Sequence, residues 1–144
     1  MFGLPQFCRQ LHPDWGNVGR RQQAWMVQTT SAGHFQFEFS TTGAVFDVVV
    51  GADASLTADV WYQFAADKDA TGKVRAYVNG VMIASATPVN SAFHDPGSYL
   101  SIGSNGLLLN KMNGYLDEVR ITKGVARYAS DSGYTPASGA FPRF

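Results

Sequence analysis

Apolar and polar residues alternate with period two in several short segments of this chain. Residues 34–40, HFQFEFS, are the clearest case. Phe35, Phe37 and Phe39 fall on one face, and His34, Gln36, Glu38 and Ser40 on the other. That is a half-buried strand with one wet face. Residues 60–86 carry three more strands. Asn79-Gly80 separates two alternating runs, 73–78 and 81–86. Asn-Gly supplies the two positive φ values of a type I′ hairpin turn. Val74, Ala76 and Val78 point one way, and Arg75 and Tyr77 the other. Residues 60–66 form the strand before them, across the polar turn 67–72. The unit reads as a three-stranded antiparallel meander.

Further strands are predicted at 24–30, 44–50, 99–103 and 114–122. A polar connection covers 51–59. Residues 87–98 form the longest irregular connection, with two prolines and a Pro-Gly step. Asn105-Gly106 marks another turn. The nearest thing to a helix is a turn at 125–128. Residues 1–23, interrupted by Pro5 and Pro13, read as an irregular arm in which Phe2, Leu4 and Phe7 form at most a short edge strand. The domain proper spans 24–144, and its Gly-, Ser- and Pro-rich tail runs over the surface. About eight strands at this spacing predict an all-β sandwich or barrel. Two antiparallel sheets packed face to face would bury the phenylalanine row.

Composition agrees. The 144 residues make one domain, with 45% hydrophobic and 15% charged residues, 15 glycines and 10 phenylalanines. The net charge of zero offers no field for nucleic acid or an anionic membrane surface. No apolar run is long enough to span a bilayer. No signal-peptide pattern opens the sequence, so an extracellular role would need another route out, such as lysis. Arg20-Arg21 reads as a solvated loop pair. Cys8, the single cysteine, excludes an intrachain disulfide and reads as a small buried hydrophobe.

Three segments in order resemble the laminin-G-like, concanavalin-A-like jelly-roll family. They are WYQFA at 61–65, the hairpin VRAYVNGVMIASA at 74–86, and NGYLDEVRITKGVARY at 113–128. The last, with its following Thr-Pro and Phe-Pro, is most similar to versions in bacteriophage tail and other virion proteins. The resemblance covers roughly 24–142. It implies a two-sheet jelly-roll sandwich. Family members usually carry strands before the tryptophan strand, and about 23 residues precede it here. The resemblance therefore implies a jelly roll lacking its opening strands, with the open edge covered by a neighbouring subunit or by the arm.

Some relatives cleave glycans, which needs two carboxylates at a set separation. They place acidic residues alternately on one strand. This chain holds two glutamates, Glu38 and Glu118, and no E-x-D-x-E strand. Asp117 and Glu118 are adjacent and point to opposite faces. No G-x-S-x-G elbow is present. Cys8 and His12 are flanked by prolines and have no orienting partner. One cysteine and three scattered histidines match no zinc spacing. The expectation is a non-catalytic protein without a cofactor, calcium being the one exception its loops allow. Asn90, Asp95 and Asn105 are the candidate ligands, with Asp14 and Asn17 behind them; as Asx residues they also suit turns. Glycan binding calls for an aromatic platform with polar side chains at sugar hydroxyls. Trp15, His94, Asp95, Tyr99 and Asn105 lie in or beside loops and supply such groups. Trp25 and Trp61 are predicted to be core.

The resemblance thus implies a virion structural protein, a tail or capsid-surface component in an extracellular particle. Its expected partners are other virion proteins, further copies of itself and a host surface glycan, with neither nucleic acid nor membrane insertion. The alternative is a free-standing, lectin-like carbohydrate-binding module.

Overall fold

The computed structural model describes residues 24–95, 97, 100–104 and 110–139. Six strands run through them: β1 (Trp25–Thr29), β2 (His34–Phe39), β3 (Val48–Asp53), β4 (Phe64–Lys68), β5 (Val74–Val78) and β6 (Val81–Ala86). They form two three-stranded antiparallel sheets, ordered β1-β2-β3 (sheet A) and β4-β5-β6 (sheet B). No helix occurs among the described residues. The expected all-β, two-sheet sandwich is the observed fold.

Alternation decides which way each strand faces. Phe35, Phe37 and Phe39 are buried with Val50 from β3 and with Val74, Ala76 and Val78 from β5. Phe35 stacks on Phe64 of β4 at 4.6 Å between ring centroids, joining the two sheets directly. Each such side chain contributes about 1.5–3 kcal/mol through burial. The connection after β6 returns to the end of β2. There Phe93 packs 4.6 Å from Phe39, and the His94 amide donates to the Ser40 carbonyl at 2.8 Å. Lys68 lies 4.8 Å over the Phe93 ring and donates to the Ser91 carbonyl.

The Asn79-Gly80 turn has φ of 49° and 82°, as the type I′ reading requires. Beyond it the ladder shifts: Ala76 faces Ala84 while Tyr77 faces Met82, so Ile83 bulges from β6.

Several boundaries differ from expectation. The strand predicted at 44–50 begins at Val48 and continues through Gly51 to Asp53. Asp47 holds the preceding loop by accepting from the Thr41 amide at 2.8 Å and the Thr41 hydroxyl. Gly51 passes beneath Gln36, where a Cβ would lie 2.3 Å from the Phe35 carbonyl. The strand predicted at 60–66 begins at Phe64 and reaches Lys68, because Asp67 pairs with Arg75 instead of turning. Residues 100–103 and 114–122 form no ladder strand. In the second, Glu118 sits at φ 52° with its amide bonded to Asp117 Oδ1 at 2.8 Å, which breaks the alternation. Residues 125–128 are irregular. The arm, 1–23, with Cys8 and Arg20-Arg21, lies outside the described residues.

Candidate functional site

Of the loop residues singled out from sequence, His94, Asp95 and Asn90 lie among the described residues, and each makes a contact within the fold. His94 lays its ring over Gly43, whose absent Cβ would come within 2.6 Å of it; it is a packing residue. Asp95 Oδ1 accepts from the Gly97 amide at 2.9 Å, and Asn90 Oδ1 from the Ala92 amide at 3.0 Å. Both are Asx turns. Among the described residues no three His, Cys, Asp or Glu side chains gather as a metal site. Trp15, Tyr99 and Asn105, with Cys8, His12, Asp14 and Asn17, lie outside the described residues.

The outer face of sheet A carries a polar row. Gln28 lies opposite Gln36, Met26 opposite Glu38, and Glu38 opposite Val49. Gln28 Nε2 donates to Glu38 Oε1 at 2.7 Å and to Gln36 Oε1 at 3.4 Å. The wet face expected here is partly dry: Glu38 is 8% exposed. Burial raises its pKa, and the Gln28 hydrogen bond opposes the rise.

The outer face of sheet B is covered by the chain's own strap, residues 128–136. Arg75 is the anchor. Its Nε donates to Asp131 Oδ1 at 2.7 Å, and its Nη1 reaches Asp69 at 2.8 Å and Asp67 at 3.5 Å. Lys73 adds a 2.5 Å bond to Asp131. Asp67 also accepts from the Ala129 amide at 2.8 Å. Tyr77 is fully buried, and its hydroxyl lies 3.2 Å from both Asp67 and the Ser130 carbonyl. Burial, then the Asp67 charge, push its phenol up to about 12. Tyr128 and Tyr134 stack at 3.6 Å, and both meet the Tyr77 ring edge-on. The strap ends against the β5–β6 turn, where the Tyr134 amide donates to the Gly80 carbonyl at 2.8 Å. This clasp is structural: every carboxylate in it already holds a cation or an amide.

Next to that turn stands a residue that the sequence reading put in the core. Trp61 is 69% exposed. Tyr62 and Phe64 stack at 6.0 Å on the inner side, so alternation turns Trp61 and Gln63 outward. Gln63 is tied to the turn twice: its amide donates to Asn79 Oδ1 at 2.8 Å, and its carbonyl accepts from the Asn79 amide at 2.8 Å. Gln63 Oε1 is buried with no hydrogen-bond partner. The clue lay in the sequence: once Tyr62 and Phe64 are read as the inward pair, Trp61 must face out.

Sheets, hairpin and closing segment together agree with one comparison. The chain matches the laminin-G-type family of the concanavalin A-like lectin/glucanases superfamily over residues 8–129. The chain belongs to that family. All six strands lie inside the matched residues, and the strap from Ser130 onward lies beyond them. No curated protein and no solved structure matches the chain.

This laminin-G-type domain places two carboxylates on one sheet face, Glu38 and Asp53. They lie one strand apart and four residues apart in register. At about 3.3 Å per residue that is roughly 13 Å, beyond the ~5–9.5 Å of glycosidase pairs. Asp53 Oδ1 also accepts from the Ser55 amide at 2.8 Å. Asp67 and Asp69 approach each other more closely, but both are held on the Arg75 guanidinium.

Proposed function

We propose that this laminin-G-type domain is a non-catalytic structural protein of a tailed-phage virion. It works at the tail or capsid surface, assembles with further copies of itself and with other virion proteins, and attaches to host surface glycan. It acts in the particle after synthesis in host cytoplasm. The similarity of residues 113–128 to virion versions of the family supports the setting. One observation carries the assembly reading. Ile102, Tyr115, Val119, Ile121 and Val125 are all exposed on a part of the chain that forms no ladder strand among the described residues. Apolar strand-like segments left open in solution invite pairing, and subunit contacts cover them.

Light scattering with and without chelator tests this. The expected result is a stable trimer or larger species whose mass does not change with chelator. Replacing Tyr115, Val119 and Ile121 together by serine should lower that mass while leaving the far-UV circular dichroism intact. A monomer at every concentration overturns the assembly reading. A mass that falls with chelator would mean that a divalent cation such as calcium holds the subunits together.

The second reading is a free-standing carbohydrate-binding module. The exposed indole of Trp61, two residues before the Gln63 that is tied to Asn79, favours it.

A further inference from the structure

We propose that Trp61, Gln63 and Asn79 form a binding corner for a neutral sugar ring. No group in this set was singled out for recognition by the sequence. The inference rests on the glycan-attachment part of the proposed function and gives it a place.

The first observation is exposure. Trp61 holds 69% of its surface in water although the core next to it is built from aromatic rings. It is excluded from that core because Tyr62 and Phe64 take the inward positions on either side of it. An indole displayed in this way offers a flat, electron-rich face, which suits the C–H face of a pyranose. The second observation is rigidity. The two Gln63–Asn79 bonds at 2.8 Å join the segment before β4 to a two-residue hairpin turn. The Asn79 oxygen is held by the Gln63 amide, so its NH2 group is the end left for a ligand. Asn79 itself is exposed.

The third observation is the unpartnered Gln63 Oε1. An acceptor buried without a donor carries a desolvation cost, which pairing with a ligand hydroxyl would relieve. Gln63 as a residue is only half-buried, and the proposal requires its carboxamide to turn outward when a ligand binds. The corner therefore offers a stacking face, one donor and one acceptor. Both polar side chains are uncharged. Hydroxyl groups satisfy such a set better than a carboxylate or an ammonium group, because neither ion would find a counter-charge in it. A hexopyranose with adjacent hydroxyls is the ligand class that fits.

The test is a glycan array with the full chain, followed by titration of the best-retained sugar by calorimetry. The same titration is run on Trp61→Ala and Gln63→Ala, with melting temperature and solution mass recorded for each. We expect Trp61→Ala to weaken binding at least tenfold and Gln63→Ala severalfold. Melting temperature should stay unchanged for Trp61→Ala, since the side chain is mostly in solvent. If Trp61→Ala binds the sugar as the parent does, the corner is wrong and glycan attachment stands elsewhere on the molecule. If Trp61→Ala changes the mass and not the sugar affinity, Trp61 is a subunit contact and the proposal is overturned. If the parent chain retains no glycan and binds no pyranose at millimolar concentration, the attachment reading fails and the corner with it.

Discussion

Glu38 shows what a single side chain contributes to stability and when. It is buried on the outer face of sheet A with Gln28 bonded to one oxygen. Burial raises its pKa above the unfolded value, so the folded state disfavours the charge. The sign follows. At neutral pH the ionised carboxylate costs stability; the cost disappears as pH falls through the folded pKa toward the unfolded one. Glu38→Gln keeps the shape and the acceptor for Gln28 Nε2. It should raise the melting temperature by about 1–3 °C at pH 7 and leave it unchanged at pH 3. Scanning fluorimetry at the two pH values checks this; a lower melting temperature at pH 7 would show that the charge is stabilised by a cation. The direction in which Glu38 points was legible in the sequence, but its burial was not. Alternation assigns a residue to a face and carries no information about what lies over that face. Trp61 is the converse case. Its side was legible from Tyr62 and Phe64, but hydrophobicity alone sends a tryptophan inward.

The strap is the element that sequence patterning least reveals. Arg75 and Asp131 are 56 residues apart, and no local periodicity links them. Alternation put Arg75 and Tyr77 on the β5 face opposite Val74, Ala76 and Val78, yet it gave no sign that both are buried because the tail returns to cover them. By contrast β1, β2, β5 and β6 follow their alternating runs closely, since each is defined by its own side chains. β3 and β4 slid by several residues because loop bonds and cross-strand pairing, at Asp47 and Asp67, set their ends. The clasp should be acid-labile. The Lys73 bond, then the Arg75 bond, hold the Asp131 carboxyl below its usual range. The Thr71 bond, then the Arg75 bond, do the same for Asp69. A depressed folded pKa gives stabilisation that is full above the unfolded value near 4 and is lost as pH falls through the folded value. An acid-active protease should therefore cut within 123–136 at pH 2 and spare it at pH 5. Arg75→Met should make the same segment cleavable at pH 7, about tenfold faster than in the parent. Equal cleavage of parent and variant would show that the aromatic stack alone retains the strap.

At the scale of the molecule, the two sheets share one core, and that determines how the domain must unfold. The sandwich itself was legible because half-buried strands of this number have few other ways to close. The missing ladder at 114–122 was not, since Glu118's left-handed conformation breaks an otherwise regular alternation. Phe35 is the residue on which cooperativity turns. It is 1% exposed, opens the β2 phenylalanine row and stacks on Phe64 across the layers. Neither sheet has three strands' worth of apolar face buried without the other. Phe35→Ala removes the ring and leaves a cavity between the layers, which costs about 3–5 kcal/mol. For a chain of 144 residues that lowers the melting temperature by about 10–15 °C. Two probes report on different parts: far-UV circular dichroism follows both sheets, and near-UV tyrosine signal follows the Tyr77–Tyr128–Tyr134 cluster on sheet B. Because sheet B has its inner face on the phenylalanine row, a cavity made in sheet A should move both transitions together. A tyrosine transition left at the parent temperature while the far-UV signal drops would mean that sheet B and its strap fold as a unit of their own.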